Sequence, residues 1–197
     1  MGKGRLEAFT DGVIAIIITI IVLELKVPES DSLEDLLKAA PVFLAYAFSF
    51  INVGLYWNNH HHMLHATKKI DGRVLWANHA LLFWLSLVPF VIRWVDESHF
   101  SPLSCAAYGV VMVMAAIGYM VLERCIVACN GRDAALARAV GADWKTRVSI
   151  VAYATAIGLA FVSQWLAIAI YAAIAAAWFI PDRRIETVLL REEGRAE

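Results

Sequence analysis

Charge is what this sequence has least of. Only 18% of its 197 residues are Asp, Glu, Lys or Arg, against roughly 25% in an ordinary soluble domain, and 60% are hydrophobic. With a formal net charge of −1 and no basic stripe, nothing points to nucleic acid as a partner. Cysteines number three, an odd count. Cys125 and Cys129 share a helical face, but no further thiol or imidazole lies near them in sequence, so they are read as small hydrophobes in a packed span rather than metal ligands. A Gly-rich phosphate loop, a nucleophile elbow, a Ser/His/Asp order and an H-E-x-x-H are all missing, which removes the usual enzyme signatures. The chain is expected to be no enzyme and to use no cofactor. No small-residue cleavage site follows the first apolar run, only LELKVPESD, and Asp11 stands in the front of that run. The first segment is therefore expected to be a permanent span, not a cleaved signal peptide.

What the sequence does have is long uncharged runs, at 12–23, 39–59, 74–92, 98–122 and 148–181. Several reach the ~20 residues that cross a bilayer core of about 30 Å. The last run would make one helix of about 51 Å, so it is read as two crossings that turn at Ser163-Gln164-Trp165. The expected fold is all-α: an integral membrane six-helix bundle forming a single domain over 1–197, with spans near 8–26, 38–60, 74–93, 102–124, 147–163 and 165–181 and a cytoplasmic tail at 182–197. With both termini cytoplasmic, fourteen of the seventeen basic residues fall inside and only Lys26, Lys38 and Arg93 outside, as the positive-inside rule requires. A five-span arrangement would strand the last four arginines outside. SLED at Ser32 resembles a capping box opening the second helix, and RDAALARAV in the 125–146 loop reads as a short surface helix. The last two spans are rich in Ala, which lets helices approach closely.

Ionisable groups inside a span are costly and mark functional sites. Asp11 is the clearest. Arg5 lies about 240° away around the same helix, so a partner for Asp11 must come from another span. Topology brings Thr10 and Asp11, the Trp57–His62 segment, and Asn78 with His79 to similar depth near the inner face. A buried network joining Asp11, a histidine and an asparagine is expected there. The cluster His60, His61, His62 and His65 has spacings that suit a metal, which makes a membrane metalloenzyme one alternative. A transporter coupled to protons through Asp11 is another, although paired interrupted helices in matched halves are missing.

On a helical wheel Gly12, Ile16, Thr19, Ile20 and Leu23 fall within a stripe of about 100°, with Asp11 on the other side. Taken alone, this pattern favours a helix that is apolar all round, packed or lipid-facing, with Thr19 bonded to its own backbone. The sequence R-x-x-x-F-T-D at Arg5, Phe9, Thr10 and Asp11 closely resembles the R-x-x-x-F-S-D signature of the lysosomal potassium channel family called transmembrane protein 175 and its prokaryotic relatives. The resemblance continues through GVIAIIIT, a W-x-x-H at Trp57 and His60, and Asn78 and Pro89 in the third span. Thr10 replaces the usual Ser and keeps the hydroxyl.

This resemblance implies a cation channel of distinct architecture, without the T-V-G-Y-G filter loop, in a prokaryotic inner membrane. It implies a homotetramer of six-span chains whose first helices line a central pore carrying K+. In such a tetramer Ile16, Ile20 and Leu23 form rings that constrict the pore, and Thr19 together with Ile16 sets selectivity. Arg5, Phe9, Thr10, Asp11, Trp57, His60 and Asn78 form the signature network that holds the helix. Glu24 near the outer end would concentrate cations at the mouth. Partners are further copies of the chain, the bilayer and K+, with no metal site expected.

Overall fold

The computed structural model describes residues 2–23, 25, 27–28, 30–131 and 144–179. Glu24, the RDAALARAV segment and the 182–197 tail lie outside the described residues. Eight helices are seen among them: α1 Lys3–Leu23, α2 Leu33–Lys38, α3 Ala40–His65, α4 Gly72–Ser86, α5 Val88–Glu97, α6 Pro102–Asn130, α7 Trp144–Leu159 and α8 Gln164–Phe179. Among the described residues four segments are long and apolar enough to cross a membrane: α1, α3, α4 with α5 taken together as Gly72–Glu97, and α6. The helix Gln164–Phe179 is apolar but shorter.

Two prolines decide where helices divide. Ser32 caps α2, its hydroxyl accepting from the Asp35 amide at 3.2 Å, but the cap opens only a six-residue helix. Pro41 then stands in the first turn of α3, where its missing N–H costs nothing and its ring cannot continue the helix before it. Pro89 acts likewise at the start of α5. The span expected near 74–93 is built of two helices that meet at Leu87, because a proline ring clashes with the carbonyl four residues back. Asp71 caps α4, accepting from the Val74 amide at 3.0 Å.

α6 is the hub. It packs most closely on α4 and α7 and also touches α5 and α8, while α1 packs on α3, α4 and α5. Gly118 of α6 is what lets α4 come so near: a Cβ there would stand 3.1 Å from the Leu81 Cα. The neighbour is backbone and gives way poorly. Gly118→Ala is therefore expected to cost about 1–3 kcal/mol by overpacking, seen as a lowered midpoint of thermal unfolding in detergent; an unshifted midpoint would contradict the close approach. The α3–α4 connection is tied down from α6. Asn130 Oδ1 accepts from the Lys68 and Lys69 amides at 3.0 and 2.8 Å, and its Nδ2 donates to the Lys69 carbonyl at 3.0 Å.

Candidate functional site

α1 has two unlike faces. Leu6, Thr10, Ile14, Ile17 and Ile21 are buried, at the spacings of three or four that make one helical face. They pack the helix onto α3, α4 and α5. The other side is uncovered: Ile16 is 59% exposed and Leu23 78%, and Gly12, Thr19 and Ile20 are exposed as well. Thr19 Oγ1 lies 2.9 Å from the carbonyl oxygens of both Ala15 and Ile16. Its proton is engaged by its own helix, which leaves oxygen lone pairs to face outward.

The buried face carries a single polar chain at the Lys3 end of the helix. Asn78 Nδ2 of α4 donates to Thr10 Oγ1 at 2.9 Å, and His60 Nε2 of α3 lies 2.8 Å from Asn78 Oδ1. Because Asn78 uses its amide N–H on Thr10, its oxygen is the acceptor and His60 donates, which fixes the proton on Nε2. Asn78 and Thr10 are 0% exposed and His60 2%. Every member has a partner, so the chain ties α1, α3 and α4 together without an orphaned polar group.

The other signature residues separate from this chain. Asp11 is exposed in the single chain, and its Oδ1 accepts from Trp57 Nε1 of α3 at 2.8 Å. The carboxylate thus bonds to neither the histidine nor the asparagine expected as its partners, but to the indole of α3. Trp57 in turn stacks on His61 at 5.8 Å between ring centres. Phe9 stacks on His79 at 5.2 Å. Arg5 is exposed; its amide donates to the Gly2 carbonyl at 3.1 Å, and its side chain joins neither of these bonded groups. Sequence reasoning named Trp57 without seeing it as the partner of Asp11; the signal was available, since an indole N–H beside a carboxylate in an apolar span needs an acceptor. On α3 the centre of the His61 ring lies 5.6 Å from that of His62 and 6.3 Å from that of His65. Among the described residues no group of three or more His, Cys, Asp or Glu is arranged to hold a metal.

A profile of the family described as endosomal/lysosomal potassium channel TMEM175 matches residues 5–89, the stretch that holds α1, the hydrogen-bonded chain and Pro89. A potassium channel of Chryseobacterium sp. (strain P1-3) is 51% identical over 189 residues, 96% of this chain and 98% of that protein. The chain belongs to the TMEM175 family. A potassium channel of Streptomyces collinus is 31% identical over 186 residues, covering 88% of this chain and 89% of that protein. The fold agrees: the crystal structure of a lysosomal potassium-selective channel TMEM175 homologue from Chamaesiphon minutus matches with a TM-score of 0.78 at 29% identity, over 91% of this chain and 97% of that one. These TMEM175 relatives are named as ion channels, not enzymes, so the metalloenzyme alternative is not favoured.

Proposed function

We propose that the chain is one subunit of a potassium-permeable leak channel in a cell inner membrane, with α1 lining the pore. The observation that carries this reading is the uncovered face of α1, with Ile16, Thr19, Ile20 and Leu23 exposed opposite a face fully packed on its own subunit. Six spans with both termini cytoplasmic and a homotetramer complete the picture. Fourfold symmetry turns the stripe into stacked rings around an axis. Rings of Ile16, Ile20 and Leu23 constrict the path and block ions by dewetting, and a modest outward movement rewets it. Thr19 then offers four hydroxyl oxygens to an ion that sheds part of its water.

In this reading the Thr10–Asn78–His60 chain and the Asp11–Trp57 bond set the angle of α1, and hence the aperture, with Arg5 and Phe9 at the helix start. Purified protein in liposomes is expected to pass potassium down its gradient without valinomycin, and faster than sodium. Absence of flux in both gradients, with the protein folded and inserted, would overturn the reading. Asp11→Ala is expected to lower either the fraction of assembled oligomer in size-exclusion chromatography with light scattering or the flux per oligomer. Normal assembly with normal flux would remove Asp11 from its assigned role.

A further inference from the structure

At the Ala40 end of α3, remote from His60, the helices α3, α5 and α8 part around a cavity of about 330 Å³. Its walls are apolar: Leu44 and Phe48 from α3, Ile92 and Val95 from α5, Ile168 from α8. The hydroxyls at its floor are already in use. Tyr171 donates to the Cys105 carbonyl at 3.1 Å, and Tyr108 is met by Asn52 and Ser49. A cavity of this kind holds no water, since water needs several free polar partners. The space is open on one side rather than enclosed, so an apolar occupant can enter it from the surroundings of the subunit. The rim is held in place: Phe100 stacks on Trp165 at 5.6 Å, and it stands there because His99 and Phe100 adopt successive left-handed conformations, φ 51° and 59°, which L residues seldom do.

The position of the cavity says where an occupant comes from. α1 packs on α3, α4 and α5, whereas α8 packs on α7, α6 and α3. With α1 on the pore axis, the reading on which this inference rests, α7 and α8 stand on the outer side of the subunit. Their exposed residues Val148, Val151, Trp165 and Leu166 face bilayer. Among the described residues the cations nearest the cavity in sequence are paired with carboxylates, Lys38 with Glu34 and Asp35 and Arg93 with Glu97, which does not favour the charged end of a free fatty acid as the occupant. We propose that the cavity takes one acyl chain of a membrane phospholipid, whose headgroup stays in the bilayer surface.

The test is photolabelling of the full chain in phosphatidylcholine vesicles in which one acyl chain carries a diazirine. Adducts are expected on peptides containing Leu44, Phe48 and Ile168, together with adducts on Val148 and Val151 at the open surface of α7. Ala172→Trp narrows the mouth and Ala45→Phe fills the α3 wall; each is expected to remove the cavity adducts while the α7 adducts, which report folding and insertion, remain. Adducts on α7 with none in the cavity would overturn the proposal, as would cavity adducts undiminished in both variants. Labelling of the cavity by diazirine oleic acid but not by the phosphatidylcholine would overturn the choice of phospholipid. Adducts on Ile16 and Thr19 with none on α7 would instead overturn the pore reading, a signature separate from the others.

Discussion

Ile16→Asn is expected to raise potassium flux about tenfold or more, the factor that removing roughly 1.4 kcal/mol from a barrier produces. Ile16 is more than half exposed on the single chain, one turn from the Thr19 hydroxyl and on the same uncovered face. In the proposed tetramer a ring of four branched aliphatic side chains repels water from a narrow path, and the ion must shed its shell without replacement. Amide side chains at the same position hold water, so the path stays wet. Selectivity should fall at the same time, since a hydrated ion passes with less contact. The change has little reason to unfold the subunit, because Ile16 takes no part in the packed face of Leu6, Ile14, Ile17 and Ile21. Flux in liposomes under opposed potassium and sodium gradients reads both effects. Unchanged conductance with an intact oligomer would mean that Ile16 is off the axis.

Asn78→Leu is expected to give the largest loss of stability. The substitution keeps the volume but removes the middle of the chain, leaving Thr10 Oγ1 and His60 Nε2 without the partners they hold at 2.9 and 2.8 Å. A buried polar group left unpaired costs about 1–3 kcal/mol, so two together cost about 2–6 kcal/mol. For a protein of this size that is a fall of about 4–24 °C in thermal midpoint. Adding Thr10→Val removes one of the two stranded groups, so the double variant should be no less stable than Asn78→Leu alone, the non-additivity expected of residues in one network. A midpoint within about 1 °C of the parent for Asn78→Leu would contradict the burial on which this rests.

How much of this was legible in the sequence differs from residue to residue. Thr10, His60 and Asn78 could be brought together on paper because antiparallel helices place the start of one beside the end of the next, and their polarity stands out in an apolar setting. The destination of Asp11 could not be read the same way. A wheel gives its angle on α1 but says nothing about which neighbour lies at that angle, and that neighbour, Trp57, is partly hydrophobic. Arg5 fell inside the signature yet stands apart from both hydrogen-bonded groups, since sequence adjacency to a motif does not place a side chain in a network. The break at Leu87 was legible in Pro89, whose effect on the helix before it is steric and local. The cavity between α3, α5 and α8 left no trace in the sequence: an apolar wall residue and an apolar core residue are the same letter.

The most direct test is a cysteine at position 19 in a chain whose Cys105, Cys125 and Cys129 are replaced by Ala or Ser. Silver ion, a cation that binds thiolate and is small enough to follow potassium, is added to liposomes during flux. If the exposed face of α1 lines the path, silver abolishes flux through Thr19→Cys, leaves the cysteine-free chain untouched, and has little effect on Ile17→Cys at the packed face. Flux through Thr19→Cys that continues undiminished in silver would place the conduction path elsewhere.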